Sequence, residues 1–276
     1  MRIRDKEINS DIIVAPMAGI TNDAFRQLCF EFGAGLVYTE MVSDKAIYYS
    51  NQKTLDMLKV SKESHPVSMQ LFGSEEMTMV YAAKILDSRT DCDIIDINMG
   101  CPVNKVVKTG SGSAMMKNED HSVGIVKAII ENVAKPVTVK MRLGWDKQHM
   151  NYLSLAKKLE GVGVSAIALH ARTRSQMYEG HSDWSHIKAL KENLSIPVFG
   201  NGDVKTFGFN GTSVIRPDSG LTYIVNNDCW FPAKAPGRDA APIAINVHVE
   251  NASGQAVNES IALDFIFDSH TPVSSP

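Results

Sequence analysis

Short apolar runs alternate with amphipathic segments along the first 205 residues. The runs are rich in β-branched residues and bounded by proline or glycine, and they begin 24 to 42 residues apart, which is the spacing of strand–helix units. Seven strands are predicted, at residues 12–16, 36–41, 66–71, 94–98, 136–140, 166–170 and 197–200.

Between these runs, apolar positions recur with the period of a helix. Ser74 precedes two glutamates and is expected to cap the second helix. A repeated strand–helix pattern indicates a parallel sheet, either an open doubly wound sheet or a (β/α)8 barrel. The five predicted helices span residues 22–32, 74–86, 119–133, 147–160 and 184–192.

The positions of polar residues favour the barrel. Gln70, Asn98, Lys140, His170 and Asn201 lie at or just beyond the C-terminal ends of five different strands. A barrel builds its active site from all of these ends, whereas an open sheet uses one switch point with a glycine-rich first turn, which this chain lacks. The predicted fold is an α/β TIM barrel of the (β/α)8 type, incomplete because only seven strands are recognisable.

Composition changes after residue 205. Residues 1–205 carry a net charge of +1 and all 13 methionines, whereas residues 206–276 carry −4. The second part has no helical period and predicts strands at 221–225, 243–249 and 261–267, of which the first is the only candidate for an eighth barrel strand. We expect a truncated catalytic barrel over 1–205 and a β-rich tail over 206–276, in place of the last barrel unit.

The whole chain has 276 residues, 44% of them hydrophobic, and a net charge of −3. This composition is globular and offers no global basic excess for binding nucleic acid, which would need a local patch. Four cysteines without C-x-x-C spacing predict neither a disulfide framework nor a zinc site. The charged N-terminus and the lack of a long apolar run predict a cytoplasmic protein that does not contact membranes.

Cys101 follows the fourth strand and is the most informative candidate. Its thiol could be a nucleophile with His170 as base, a general acid, or a buried packing residue. No second cysteine or nearby histidine completes a metal ligand set, so no metal is predicted. The residue types and spacing alone leave these three alternatives open.

Three other segments carry charge or close-approach glycines. The pair Arg172 and Arg174 beside His170 could bind phosphate, and the turn at 200–203 has the glycines of a phosphate-binding turn. Residues 109–113 are predicted to form a flexible loop surrounded by lysines. These lysines would guide a polyanion towards Cys101. The lysines are Lys105, Lys108 and Lys117.

Seven motifs occur in one order between residues 8 and 205, and together they resemble the bacterial tRNA-dihydrouridine synthase family. They are APMAG at 15–19, MQLFG at 69–73, DINMGCP at 96–102, KTGSGS at 108–113, VKMRLGW at 139–145, HARTR at 170–174 and GNGD at 200–203.

The resemblance implies an oxidoreductase that carries FMN, takes electrons from NADPH or NADH, and reduces uridine in tRNA to 5,6-dihydrouridine. Hydride from the reduced flavin would add to C6, and Cys101 would be the catalytic acid that protonates C5. The cofactor-binding residues would be Pro16, Met17, Gln70, Lys140, His170, Asn201, Gly202 and Asp203. The residues that contact uridine or RNA would be Asn98, Asn104, Arg172, Lys105 and Lys108.

The family's eighth strand and helical tRNA-binding domain are not recognisable after residue 205. Two alternatives therefore accompany the main interpretation. One is another FMN-dependent barrel oxidoreductase that reduces a small pyrimidine or enone. The other is a nonenzymatic fusion or truncation whose β-rich tail is a binding module.

Overall fold

The structure is a computed structural model that describes residues 1–204 and the short segments 209–210, 213–214, 222–225, 249–250 and 256–257. The chain divides into two compact units. The first comprises Met1–Val204 with Pro217–Asp228, and the second comprises Lys205–Arg216 with Cys229–Pro276.

The first unit is built on a parallel sheet whose seven predicted strands are all present. Their observed ends lie within three residues of the predicted ones, so this prediction is confirmed. The strands are β1 Ile12–Val14, β2 Leu36–Tyr38, β3 Val67–Phe72, β4 Ile94–Met99, β5 Val137–Arg142, β6 Ala166–His170 and β7 Val198–Asn201.

An eighth strand, β8 Thr222–Val225, occupies the position between β7 and β1. It pairs in parallel with both neighbours, with Gly200 opposite Tyr223 and Ile13 opposite Ile224. Each of β1 to β7 is also paired in parallel with the next strand along the chain. The hydrogen-bonded ring is therefore closed, and the segment that supplies its last member is the candidate eighth strand of the sequence.

Helices connect successive strands on the outside of the ring. The five predicted helices are α1 Asp23–Glu31, α4 Glu76–Arg89, α6 Glu119–Ile130, α7 Tyr152–Gly161 and α8 Trp184–Asn193. Four short helices were not predicted: α2 Asp44–Tyr48, α3 Gln52–Asp56, α5 Asn104–Val107 and the 3-10 helix Gly112–Lys117. Short strands at Arg2–Ile3, Lys6–Glu7 and Val42–Ser43 were also not predicted.

Two helix starts differ from their predictions for local reasons. Helix α4 begins after Glu75 rather than Ser74, whose hydroxyl instead donates to the carbonyl of Thr109. Helix α7 begins five residues later than predicted, because Asp146 accepts backbone hydrogen bonds from residues 148 and 149 and holds that stretch as a turn.

Successive side chains of a strand point to opposite faces, and two apolar clusters result. The larger lies between the strands and the helices, with Val139, Met141 and Leu169 among its members. The smaller contains Tyr38 and Phe199 from strands together with Ile3 and Ile8 from the N-terminal segment. We call this smaller cluster the inner apolar cluster; its other members are Ile13, Ala15, Leu36, Ile94, Ala166 and Ala168.

In the second unit, Phe209–Asn210 pairs antiparallel with Ser213–Val214, and Val249–Glu250 pairs antiparallel with Ala256–Val257. The strands expected at 243–249 and 261–267 lie outside the described residues, apart from Val249. The domain boundary at residue 205 stays a prediction.

Candidate functional site

Polar side chains that face the interior of the ring collect towards the C-terminal ends of its strands. Gln70, Asn98, Lys140, His170 and Asn201 each belong to a different strand, and the strands are neighbours in the sheet. Four of the five are buried and Lys140 is half-buried. The structure thus brings together in one region the residues that the sequence placed at separate strand ends.

Two side-chain amides and a carboxylate form a chain of hydrogen bonds in this region, which we call the amide chain (Asp96, Gln70 and Asn98). Gln70 Nε2 donates to Asp96 Oδ2 at 2.7 Å, and Asn98 Nδ2 donates to Gln70 Oε1 at 2.7 Å. Asn98 Oδ1 then accepts from the backbone N–H groups of Gly100 at 3.0 Å and Cys101 at 2.9 Å. The amide chain ends at the backbone of the candidate catalytic cysteine.

Asp96 is the fully buried start of the amide chain. Its Oδ1 accepts from the hydroxyl of Thr138 at 2.6 Å. Burial raises the pKa of Asp96 to about 6, although hydrogen bonds from Thr138 and Gln70 and the positive charge of Lys140 favour the carboxylate. Asp96 is ionised at neutral pH and offers only acceptors to its neighbours.

Cys101 is half-buried in the segment that follows β4. Burial raises the pKa of its thiol, while the Val103 backbone N–H and the charges of Arg142 and Lys140 oppose that rise. The thiol is therefore protonated at neutral pH. No hydrogen bond joins it to His170 in the described part of the chain, so the nucleophile reading, which needs a base in contact, has less support than the acid reading.

The segment after Cys101 packs against it. Ser113 donates two hydrogen bonds to the Cys101 carbonyl, from its N–H at 3.0 Å and its hydroxyl at 2.9 Å. Gly112 has φ +61°, and a Cβ there would lie 2.8 Å from the same carbonyl. Residues 111–113 are buried, so the expectation of a flexible loop at 109–113 is wrong for that part, because the 3-10 helix Gly112–Lys117 closes over the cysteine.

Lys140 and Asn201 form the opposite side of the region. Lys140 Nζ donates to Asn201 Oδ1 at 2.9 Å. Asn201 is fully buried, and its Nδ2 has no hydrogen-bond partner in the part of the chain that the structure describes. A buried donor without an acceptor is unfavourable, so this atom marks a place suited to a polar ligand.

Gly202 follows with φ +104°, and a Cβ there would lie 2.1 Å from Ser182 Oγ and 3.1 Å from His170 Nε2. Only glycine fits this close approach. Asp203, also at positive φ, accepts from Arg172 Nη2 at 2.8 Å and from the Ser182 N–H at 2.6 Å. The turn at 200–203 is thus a tight, polar turn held by a buried ion pair.

His170 is buried beside three cations. Burial lowers its pKa well below the ordinary value, and the charges of Arg142, Lys140 and Arg172 lower it further. The ring is neutral at neutral pH, and its Nε2 lies 3.2 Å from Arg172 Nη1. A neutral imidazole beside a guanidinium group uses this nitrogen as an acceptor.

Arg172, expected to contact uridine or RNA, is 2% exposed. Besides Asp203 and His170, its guanidinium group donates to Ser182 Oγ at 3.1 Å and to the carbonyls of Glu179 and Gly180 at 3.3 and 2.9 Å. The N–H groups of the Arg172 guanidinium thus donate to acceptors of the protein itself. This geometry favours a role in holding residues 170–182 against the turn at 200–203.

Arg142 is a buried residue near the site and is not among the predicted site residues. Its Nε donates to the Gly100 carbonyl at 3.0 Å, and its Nη1 donates to the carbonyls of Thr173 and Met177 at 3.0 and 2.7 Å. Burial lowers its pKa to about 10. Its position two residues after Lys140 on β5, on the same face of the strand, was the available signal.

The first turn of the barrel carries Pro16 and Met17. The backbone N–H of Met17 donates to Thr21 Oγ1 at 3.2 Å, and the Met17 carbonyl accepts from the Thr21 hydroxyl at 3.0 Å. Gly19 has φ +77° and donates its N–H to Glu40 at 2.6 Å. The turn is fixed by its own hydrogen bonds.

The three expected RNA-facing residues after Cys101, namely Asn104, Lys105 and Lys108, are exposed on and beside α5. Asn104 Oδ1 accepts from Arg174 Nη2 at 2.7 Å. The guanidinium carbon of Arg174 and the ammonium of Lys117 lie 4.6 and 3.4 Å from the centre of the Trp145 ring.

Arg174, Lys117, Trp145 and Asn104 form one surface, which we call the tryptophan surface. Neither cation has a carboxylate within 4.0 Å among the described residues. Trp145 is not among the residues predicted for the site, because nothing in the spacing of the sequence places two cations on one ring. A pair of unneutralised cations favours an anionic ligand.

The described residues contain no group of three or more metal-binding side chains, and none of the described helices is long and apolar enough to cross a membrane.

The dihydrouridine synthase (Dus) family matches residues 13–210 of this chain. A probable tRNA-dihydrouridine synthase from Rhizobium leguminosarum bv. phaseoli is 40% identical over 222 residues, which cover 80% of this chain and 69% of that protein. The tRNA-dihydrouridine synthase B of Vibrio vulnificus is 41% identical over 204 residues, which cover 74% of this chain and 63% of that protein.

A probable tRNA-dihydrouridine synthase from Rickettsia conorii is 43% identical over 268 residues, which cover 93% of this chain and 81% of that protein. An alignment of that extent necessarily continues beyond residue 210, where the family match ends. Among solved structures, an old yellow enzyme homologue from Zymomonas mobilis has a TM-score of 0.53 at 10% identity, covering 74% of this chain and 81% of that one. This likeness concerns the fold.

Proposed function

This chain belongs to the dihydrouridine synthase family, and on that premise we propose that it is an oxidoreductase that reduces uridine in tRNA to 5,6-dihydrouridine. A flavin is the cofactor that the family and the barrel fold indicate. The observation that carries the proposal is a protonated thiol, Cys101, held by Asn98 beside the polar carboxyl ends of the barrel strands.

The residues at the carboxyl ends fit a flavin. Its ring carries both donors and acceptors, and the side chains here offer both: an unpartnered donor at Asn201 Nδ2, the amide of Gln70 and the ammonium of Lys140. Met17, which is partly buried against the larger apolar cluster, would lie beside the apolar edge of the ring. We propose FMN as the particular flavin and NADPH or NADH as its reductant.

The chemistry that the flavin supplies when bound is hydride transfer to C6 of the uracil ring. Cys101 then has one task, to hold a proton at Sγ and release it to C5. Burial keeps the thiol protonated, and the cations Arg142 and Lys140 favour the thiolate that remains after the proton leaves. The same environment thus supports both protonation states that an acid must pass through.

The remaining cofactor roles follow from charge. Lys140 is the side chain we propose to stabilise negative charge on the reduced flavin, because its ammonium group is held in place by Asn201. His170 is neutral and would contact the cofactor without adding positive charge. Asn201, Gly202 and Asp203 would hold the cofactor phosphate through their turn, with Pro16 and Met17 beside the ring and Gln70 at its polar edge.

The RNA side of the proposal rests on one buried amide and three exposed side chains near Cys101. Asn98 would contact the uridine, while Asn104, Lys105 and Lys108 would contact RNA around it. The tryptophan surface extends this face by two cations without carboxylate partners. We propose that Arg172 stabilises the site rather than contacting RNA directly, since its guanidinium group is hydrogen-bonded to Gly180 and Asp203.

For the organisation of the chain, we propose that residues 1–205 form the FMN-binding catalytic barrel together with β8, and that the rest of 206–276 is a β-rich tail. Support for the inclusion of β8 comes from its pairing with both β7 and β1. Closing the sheet removes two exposed strand edges, which would otherwise favour aggregation.

The direct test uses the whole purified chain with FMN, NADPH and an unmodified tRNA transcript. Dihydrouridine is measured by mass spectrometry of the digested RNA. Free orotate and a small enone serve as separate substrates, and Cys29→Ala is the matched cysteine control for Cys101→Ala, because Cys29 lies on α1 away from the amide chain. Reduction of orotate or enone with unmodified tRNA would favour the small-molecule oxidoreductase instead. Failure to retain flavin would contradict the proposal.

A further inference from the structure

The amide chain has a direction, and Asp96 anchors one end of it. A side-chain amide has a donor end and an acceptor end. Because the Asp96 carboxylate only accepts, it requires the NH2 end of Gln70, at 2.7 Å. Gln70 then presents its oxygen to Asn98, and Asn98 presents its oxygen to the N–H groups of Gly100 and Cys101. The orientation of each amide is thus matched to that of its neighbour, from Asp96 at one end to the backbone N–H groups at the other.

The reverse direction is unfavourable at both ends. A flipped Gln70 would direct its oxygen at the Asp96 carboxylate, and a flipped Asn98 would direct its NH2 group at two backbone donors. Gln70 and Asp96 are at most 1% exposed and Asn98 is 7% exposed, so water gives these groups little compensation. Burial therefore makes the orientation of both amides specific.

We propose that Asp96 is a positioning residue that fixes the backbone of Cys101 through Gln70 and Asn98, an inference that rests on the proposed role of Cys101 as proton donor. Asp96 makes no contact with Cys101 itself. Its effect on the reaction is to hold the thiol where its proton can reach the substrate, rather than to take part in proton transfer.

Two substitutions interrupt the amide chain at different bonds. Asp96→Ala removes the acceptor that orients Gln70, and Gln70→Leu removes the middle of the chain. Asp96→Asn is the conservative variant: Asn can still accept from Gln70 through Oδ1, while its NH2 group donates to the hydroxyl of Thr138, which accepts as readily as it donates. Ser68→Ala is the matched control, because Ser68 is buried on the same strand as Gln70 and lies outside the amide chain.

The measurement is the alkylation rate of each cysteine by iodoacetamide, read peptide by peptide by mass spectrometry in the full chain without cofactor. Loss of one buried hydrogen bond of about 1 kcal/mol corresponds to about a fivefold rise in the rate at Cys101. We expect that rise in Asp96→Ala and Gln70→Leu, and the unsubstituted rate in Asp96→Asn and Ser68→Ala. Cys29 and Cys92 are internal references, since general loosening of the fold would expose them as well.

Several outcomes would overturn the proposal. They are an unchanged Cys101 rate in both interrupting variants, a parallel rise at Cys29 and Cys92, and an Asp96→Asn rate equal to that of Asp96→Ala. If Asp96→Ala does not fold, the Cys101 alkylation rates of Gln70→Leu and Asp96→Asn still test the proposal. The expected pattern in a chain that does not modify tRNA would contradict the proposed function and leave the positioning of the cysteine backbone supported.

In the loaded enzyme, Asp96→Ala should lower kcat for dihydrouridine formation by about the same fivefold, with KM for tRNA unchanged, because Asp96 does not contact RNA in the proposed arrangement. A rise in KM alone would contradict the positioning role. Recovery of kcat in Asp96→Asn is expected.

Discussion

The interior of the barrel differs between its two ends. Towards the amino ends of β4, β6 and β7 lie members of the inner apolar cluster: Ile94, Ala166 and Phe199 each precede the polar residue of their own strand. Ile3 and Ile8 from the N-terminal segment belong to the same cluster. Towards the carboxyl ends the inward positions are amides, a lysine and a histidine. The same strands therefore supply packing at one end and chemistry at the other, which is the usual division of labour in such barrels.

Hydrogen bonds compensate the burial of polar groups at the carboxyl ends of the strands. Asp96 and Thr138 lie within the strands, below Asn98 and Lys140, and they begin the hydrogen bonds that continue to Cys101. Burying these groups without partners would destabilise the fold. The transition from apolar to polar interior is thus made by a connected set of hydrogen bonds.

The largest expected effect is at the polar end. Replacing Cys101 with Ala should lower dihydrouridine formation about 10² to 10⁴-fold, the range for loss of a general acid. Flavin binding and nicotinamide oxidation should be retained, and the free energy of unfolding should change little, because the thiol is not part of either apolar cluster. Product formation at the unsubstituted rate would remove Cys101 as the acid.

At the apolar end, Phe199→Ala should reduce the free energy of unfolding by about 3–5 kcal/mol, the typical result for a buried aromatic residue. The affected side chain lies in the inner apolar cluster, so Cys101 alkylation in the protein that remains folded should be unchanged. Chemical denaturation measures the first quantity and peptide mass spectrometry the second. A selective change at Cys101 would show that the two ends are coupled.

The pH dependence of stability tests the boundary between the two ends. The pKa of Asp96 is raised to about 6 in the fold from 3.8, so the folded state binds the proton more tightly than the unfolded chain. The contribution of Asp96 to the free energy of unfolding is therefore most favourable below about pH 4. It becomes less favourable as the pH rises to 6, by about 3 kcal/mol in total.

Asp96→Asn lacks this titration. The difference in unfolding free energy between the variant and the unsubstituted chain should therefore shift in favour of the variant between pH 4 and 6 and stay level above that. His170 is present in both proteins, so its own titration cancels in the difference. A difference that does not vary with pH would contradict the raised pKa.

The smallest effect is expected on the outer rim of the polar end. Arg174→Gln should weaken tRNA binding and lower the slope of log affinity against log salt by about one, since one phosphate contact is lost. Lys188→Gln is the matched control, because Lys188 lies on α8 near Glu192, in the outer layer of helices. Equal salt slopes for the two variants would show that the tryptophan surface does not contact RNA.

Much of this molecule follows from local sequence pattern. The strands were predicted because apolar runs such as 166–170 are bounded and evenly spaced, and Gln70, Asn98 and Lys140 were selected because they stand at strand ends. Asn104, Lys105 and Lys108, which are expected to contact RNA, are exposed. These features can be predicted from the sequence because they depend on residues that are close together along the chain.

Other features required distances between residues far apart in sequence. The Arg172–Asp203 pair, the three carbonyls around Arg142 and the two cations on Trp145 each join separate loops. The flexible loop expected at 109–113 is partly buried because Cys101 lies beneath it, a contact invisible in the local glycine and serine content.

The sequence by itself determined the alternation of strands and helices, the residue types at the strand ends and the family resemblance, since all three are patterns of local order and spacing. The tertiary structure decided that the ring is closed by Thr222–Val225 and that Asp96, Gln70 and Asn98 form one directed chain to Cys101. The physical reason is that pairing between strands and the burial of polar groups are long-range. They are fixed only when the whole barrel brings its strands into register and excludes water from its interior.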